Sequence, residues 1–293
     1  MHKNISLHLP TIYTPHEFPI DFPVCPSYDR MVHTKEPEYF HFHNCFEIGY
    51  CISGKGQISF EACQLEFQPD EFTIIPPLEP HITVSPEPPT HWDFLYFDPT
   101  VLYAASDPAV SSLFQRFYQF QELPLQVTQK SNPFLYQILC SLFEEFHNTQ
   151  LFYNNAASAL ILILLSELNK IPSSQQPIAD AASAPVRNAL LRIFSHYAEP
   201  LSIPDLAEFC GLSESHFRRI FKQMIGISPQ DYLHNYRIQH ACQLIMQNKE
   251  SLNQIATLVG YSSVSSFNRQ FLKSIGMTPS AWKKNCKAPF NEP

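Results

Sequence analysis

The sequence predicts a two-domain α+β protein. An N-terminal antiparallel β-sandwich or β-barrel is followed by helices, and an all-α C-terminal domain is built from two similar units. Three observations predict this. Residues 20–100 form short apolar segments broken by turn signals, helical spacing takes over after about residue 108, and the last hundred residues carry an internal repeat. A length of 293 residues suits two domains, and 44% apolar content suffices for real cores, which excludes a disordered chain.

The β region reads as "EIGYCISG", "GQISFEA", "CQLEFQPDE", "FTIIPP", "HITVSP" and "HWDFLYFDP", spaced like an antiparallel sandwich or barrel, with prolines between the segments. Ser53-Gly54-Lys55-Gly56 is a turn whose glycines tolerate positive φ. Three helices are expected next, in "PAVSSLFQRFYQF", "NPFLYQILCSLFEEFHN" and "NNAASALILILLSELNK". The second puts Leu135, Ile138, Leu139, Leu142, Phe143 and Phe146 on one face; the third is apolar nearly all round, and packs inside the domain or pairs two chains. Residues 171–185, "IPSSQQPIADAASAP", lack periodicity and read as a linker, which divides the chain into 1–170, 171–185 and 186–293.

The net charge of −8 is unevenly spread, at +5 for residues 185–293 and −13 for the rest, so the basic part is the candidate for a nucleic-acid partner. Eight scattered cysteines without a C-x-x-C pair suit a reducing compartment. "MHKNISLHLPTIY" lacks an apolar signal core, and the longest apolar run, Ala159–Leu165, is too short to cross a bilayer, so a soluble cytoplasmic protein with no membrane partner is expected.

In the repeat, Ile203, Leu206, Ala207 and Gly211 match Leu252, Ile255, Ala256 and Gly260 at an offset of 49. Phe217, Arg219, Phe221, Gly226, Pro229 and Tyr232 match Phe267, Arg269, Phe271, Gly276, Pro279 and Trp282 at an offset of 50. Each unit has a Ser cap (Ser202, Ser251), a short helix, a Gly turn, a second Ser cap (Ser213, Ser263) and a helix with one apolar face, Phe217/Ile220/Phe221 or Phe267/Phe271/Leu272. That is a helix-turn-helix, present twice, with a long helix from Pro229 to about Asn248 joining the units. The polar faces of the second helices offer Glu214, Ser215, Arg218, Arg219 and Lys222, then Val264, Ser265, Asn268, Arg269 and Lys273. Arg can bond guanine with two donors, Asn can pair with adenine, and Val or Ser can touch a thymine methyl. Major-groove double-stranded DNA is the expected partner, with one of the equivalent Arg219 and Arg269 available for phosphate instead.

With these turns, "YRIQHACQLI", "IATLVGYSSVSSFNRQFLKSIGMTPSAW" and the pairs Gly226/Pro229 and Gly276/Pro279, residues 186–287 resemble the DNA-binding domain of the AraC/XylS family of bacterial transcription regulators. Ser263 and Val264 stand where many members have Asp-Pro or similar. The resemblance implies two recognition helices in adjacent major grooves, and a cupin-like sensor domain at the N-terminus.

"HFHNCFEIGYCISGKGQISFEACQLEFQPDEFTIIPPLEPHITV" resembles such a sensor. In metal-binding cupins a His-x-His-x(3,4)-Glu stretch and a later His supply four ligands. His41, His43, Glu47 and His81 fit that spacing and would suit divalent Zn, Fe, Mn or Ni, although Leu78 stands where metal cupins commonly have Gly. The same inward groups can instead bind the hydroxyls of an effector without metal, or form a structural polar cluster. Tyr50, Trp92, Phe94 and Tyr96 alternate so that some line the pocket; aromatic surface beside hydroxyl-binding groups suits a sugar, and ordinary core is the alternative. The expected function is a non-enzymatic, homodimeric, sequence-specific DNA-binding regulator controlled by a small molecule in the N-terminal domain. A metal-dependent cupin enzyme or metal sensor fused to a DNA-binding module is the alternative.

Overall fold

A computed structural model of the chain describes residues 9–34, 36, 38–61, 63–85, 88–104, 125–148, 151–171 and 184–287. The helix expected at 108–120 and nearly all of the expected linker lie outside these residues. The described chain forms two compact units, one containing residues up to Pro99 and 125–171, the other containing residues 100–104 and 184–287.

In the first unit the alternating segments become ten strands. They are β1 (Thr11–Tyr13), β2 (Val24–Val32), β3 (Phe40–Phe42), β4 (Phe46–Ser53), β5 (Gly56–Phe60), β6 (Gln64–Phe67), β7 (Glu71–Ile75), β8 (His81–Val84), β9 (Thr90–Phe97) and β10 (Leu125–Val127). They form two five-stranded sheets, in orders β1-β3-β8-β5-β6 and β10-β7-β4-β9-β2. Pairing is antiparallel except between β1 and β3, which is parallel.

Among the described residues these are two open sheets, the sandwich alternative of the sequence reading and not a closed barrel. The edges show why pairing stops. β2 carries Pro26 and a register shift between Ser27 and Arg30, and β1 has three residues. Cys51, Ile75, Trp92 and Phe94 from one sheet and Ile58, Phe60 and Phe67 from the other share one buried cluster, so the sheets pack face to face.

A short helix α1 (Pro99–Leu102) follows β9. Helix α2 (Pro133–His147) starts where Asn132 Oδ1 accepts the Leu135 N–H at 3.1 Å, and it buries the six apolar residues expected of it. Phe143 and Tyr136 set their rings against Phe72 on the outer face of the β7-containing sheet. Helix α3 (Tyr153–Leu168) packs on α2 through Ala157, Ile161, Leu164, Leu165 and Leu168. Ile163 stays 43% exposed, so α3 is buried along one face and not all round.

The second unit continues as α4 (Ala184–His196), α5 (Ile203–Phe209), α6 (Glu214–Ile225), α7 (Pro229–Gln247), α8 (Leu252–Leu258), α9 (Val264–Ile275) and α10 (Pro279–Lys287). Every cap read from the sequence is formed. Ser202 and Ser251 make reciprocal capping boxes with Asp205 and Gln254, while Ser213, Ser228 and Ser263 cap α6, α7 and α9. Gly211 and Gly260 take φ of +67° and +83° in the two turns. Helix α7 touches α6, α8, α9 and α10, so it ties both helix-turn-helix units together.

Candidate ligand pocket and nucleic-acid interface

The first site lies between the two sheets. β3 and β8 pair with His41 opposite His81, and β4 of the other sheet supplies Glu47. His43 follows β3 on the same side as His41, as two-residue alternation requires. The sheets thus bring the four residues named from the sequence together, one ligand-type atom of each within 4.8 Å of the others. His43, Glu47 and His81 are buried and His41 half-buried.

Each buried imidazole is held from behind. His43 Nδ1 lies 2.7 Å from the Thr14 carbonyl and His81 Nδ1 lies 2.8 Å from the Glu79 carbonyl. A carbonyl only accepts, so Nδ1 carries the proton in each ring and Nε2 turns inward. Glu47 Oε2 is 3.0 Å from His43 Nε2 and 3.5 Å from His81 Nε2, yet neither contact is aligned as an N–H···O bond. Burial alone would raise the Glu47 carboxyl, but His81 and His43 outweigh it and hold it well below the usual carboxylate range. Burial, then His81, lowers His41 to about 3, so this ring is neutral at neutral pH.

The cluster opens on a cavity of about 450 Å³ lined by His41, Glu47, Phe94, Tyr96, Ile82 and Arg30 among others. Burial, then Glu47, pushes the Tyr96 hydroxyl up, so it keeps its proton. The site therefore offers neutral imidazole, carboxylate, phenol and aromatic surface, a set able to hold a hydroxylated molecule or a cation.

The other two proposed pocket residues are placed differently. Tyr50 is three residues from Glu47, hence on the opposite face of β4, where its ring lies against Phe72 and Phe143 and its hydroxyl donates to Asp70 at 2.8 Å. Trp92 faces inward but is fully buried core; its indole N–H donates to Thr90 Oγ1 at 2.9 Å. Sequence reasoning missed Thr14 and His16. β1 carries Thr14 to His43, and reciprocal bonds with Asn44 seat His16, whose ring stacks on Tyr96 at 3.7 Å. Burial, then His43, lowers His16 to about 4. Leu78 adopts φ +66° with its N–H on the His43 carbonyl, so it holds a backbone conformation that favours glycine.

The second site is the pair of helices α6 and α9. Phe217 and Phe221, and Phe267 and Phe271, are fully buried, so their opposite faces point to solvent. Ser215, Arg218, Arg219, Lys222, Ser265, Asn268, Arg269 and Lys273 are all exposed, while Val264 is half-buried against the core. Leu272, expected in the buried face, is 47% exposed, because at an offset of 50 it occupies the place of Lys222.

Two cations are already engaged. Arg218 pairs with Glu214 one turn earlier at 2.7 Å, and Lys273 bonds Asp231 at the start of α7 at 2.7 Å. Among the described residues Arg219, Lys222, Asn268 and Arg269 make no side-chain hydrogen bond or ion pair.

Comparison with known proteins finds a family match over each of the two units. A model of an AraC-like ligand binding domain matches residues 30–165, and one of a helix-turn-helix domain matches residues 206–285. The lactose operon transcription activator of Staphylococcus xylosus is 26% identical over 152 residues, 50% of this chain and 53% of that protein. The probable transcriptional regulator LumQ of Photobacterium leiognathi is 35% identical over 91 residues, 31% of this chain and 37% of that one. The Msm operon regulatory protein of Streptococcus mutans is 22% identical over 244 residues, covering 82% and 84%. The first two alignments thus span about half or less of the relatives' own length. The chain thus carries a region similar to an AraC-like ligand binding domain followed by one similar to a helix-turn-helix domain, and it is similar to proteins named as transcriptional regulators.

Proposed function

We propose that this chain is a sequence-specific DNA-binding transcription regulator, cytoplasmic and homodimeric, whose DNA affinity is set by a small molecule in the N-terminal cavity. The observation that carries this reading is the pair of capped helices α6 and α9, each buried through two Phe and each presenting Arg or Asn to solvent. Arg218, Arg219, Asn268 and Arg269 supply base or phosphate contacts, Ser215, Val264 and Ser265 flank them, and Lys222 and Lys273 add backbone charge.

The effector class best matched by the cavity is a hydroxylated molecule, with carbohydrates first. His41 and Glu47 accept hydroxyl protons, and Phe94 and Tyr96 offer ring faces. One relative is named for a lactose operon, which supports the same class. Dimerisation raises specific affinity above the genomic background. No catalytic turnover belongs to this reading.

The test is fluorescence anisotropy of the full chain with a selected duplex and its scrambled counterpart, each with and without a panel of mono- and oligosaccharides. Preference for the selected duplex, changed by a sugar, is the expected result. Equal affinity for both duplexes overturns the regulator reading. A response confined to another ligand class overturns the carbohydrate assignment alone.

A further inference from the structure

The two sheets leave a second opening, on the side away from the His/Glu cluster. The first cavity is bordered by β2 and β3. The other, of about 720 Å³, is bordered by the edge strands β6 and β10 and their neighbours β5 and β7. Its lining includes Phe67, Gln68, Glu71, Val84 and Gln126, and the two cavities share no lining residue. Strand pairing explains how a carboxylate comes to lie there. Glu71 pairs with Cys51, which belongs to the core between the sheets, so Glu71 points inward as well. Gln126 pairs with Thr73, two residues on, and stands on the same face.

Glu71 is 7% exposed, and its hydrogen-bond partners are all N–H donors. The Gln68 backbone N–H donates to Oε2 at 3.1 Å, the Gln68 side-chain amide to Oε1 at 3.0 Å and the Gln126 amide to Oε2 at 2.6 Å. Gln126 Nε2 also donates to the Glu66 carbonyl at 2.7 Å, which ties edge strand β10 to edge strand β6. Among the described residues no Lys, Arg or His pairs with Glu71, although a buried carboxylate is ordinarily balanced by a cation. A carboxylate has about four acceptor positions. Three are taken. The remaining one is left beside Oε1 of Gln68 and Oε1 of Gln126, since each amide has turned its nitrogen to the carboxylate.

The charge around it has the same sign. Glu66 adds a second carboxylate, and among the described residues Lys55, exposed and without an ion pair, is the one cation of the lining. Phe67 and Val84 supply apolar surface. A metal ion fits poorly. Calcium and magnesium take about six or more oxygens, whereas the Glu71 oxygens already hold three N–H groups. Among the described residues Glu66 and Glu71 do not meet a third ligating group.

We propose that this opening is a second ligand site, for a small organic cation. Its ammonium or guanidinium head donates to Glu71 and to the Gln68 and Gln126 amide oxygens, and its short carbon chain lies on Phe67. The ligand supplies the positive charge that the described residues do not bring to Glu71. The site is independent of the proposed effector cavity, and its test uses no DNA, so its failure leaves the regulator reading untouched.

The experiment titrates the full chain with butylguanidinium and butylammonium as probes, by calorimetry and saturation-transfer NMR. Butanol and butyrate serve as neutral and anionic controls. Side-chain amide signals in proton–nitrogen correlation spectra locate the probe, those of Gln126 being identified by their loss in Gln126→Leu. Expected are saturable binding of at least one cation at about one per chain, movement of the Gln126 amide signals, and no binding of butanol or butyrate. Glu71→Gln, which keeps the side-chain shape and removes the charge, should weaken the cation about tenfold or more, with circular dichroism unchanged.

No saturable binding of either cation overturns the proposal, as does equal binding of butanol or butyrate. Binding that folded Glu71→Gln retains in full, or that leaves the Gln126 signals unmoved, overturns it too. Displacement of the probe by equimolar calcium overturns it in favour of a metal site. If Glu71→Gln fails to fold, the selectivity of the wild-type chain and its amide shifts still decide.

Discussion

Gly211 and Gly260 occupy the same place in the two repeats, and both carry positive φ, yet their surroundings differ sharply. No heavy atom lies within 4 Å of where a Gly211 Cβ would stand. At Gly260 a Cβ would fall 2.7 Å from the Tyr197 carbonyl oxygen, 2.9 Å from that of Ala198 and 2.9 Å from Arg237 Nη2. Gly211→Ala should therefore cost only the left-handed backbone, about 1 kcal/mol. Gly260→Ala adds to that a displaced backbone turn and the disturbance of Arg237, whose Nε and Nη2 donate to Tyr197 and Glu199 carbonyls at 2.7 and 2.9 Å. A charged hydrogen bond is worth about 1.5–3 kcal/mol, which brings the expected total to about 3–5 kcal/mol. The assay is urea unfolding of the full chain followed by emission of Trp282, which is buried beside Phe271, in a Trp92→Phe background that silences the other indole. Equal losses for the two alanine variants would refute the packing argument.

Three further outcomes follow from the same unit. His240 is fully buried, stacked on Tyr197 at 4.0 Å, and burial lowers it to about 3 from 6.5. Its unfolded form takes up a proton that the folded form refuses, so stability is complete above pH 6.5 and falls as pH drops toward 3, by up to about 1.4 kcal/mol per pH unit; His240→Phe should flatten that slope by one proton in urea melts repeated across pH. Arg237→Met leaves the Tyr197 and Glu199 carbonyls without their donor and should cost about 2–4 kcal/mol by the same melts. Affinity for any duplex should fall linearly with log salt, and Lys222→Ala should lower that slope by about one while leaving sequence preference unchanged.

The C-terminal unit was legible because its signals are local. Capping serines, turn glycines and Phe pairs each act within four residues, and the repeat showed them twice. The β unit was legible in its strands and in the His41, His43, Glu47 and His81 set, where two-residue alternation fixes the face. The same alternation places Tyr50 opposite Glu47, so its misassignment was avoidable. Trp92 has the right parity, but whether an inward side chain meets core or cavity depends on the facing sheet, here Phe67. Nothing in "TIYTPHEF" announces that β1 pairs parallel with β3 and delivers Thr14 and His16, since that pairing spans about thirty residues with no periodicity. Lys273 looked like a free DNA contact because its partner, Asp231, lies 42 residues earlier.

The central claim is that α6 and α9 both read bases. Selection of duplexes from a random pool by the full chain, followed by the same selection with Asn268→Ala and Arg218→Ala, tests it most directly. The account predicts an enriched sequence with two separated blocks, each variant losing preference in one block and about 1–3 kcal/mol of specific affinity. An unenriched pool, or blocks that both variants leave intact, would contradict it.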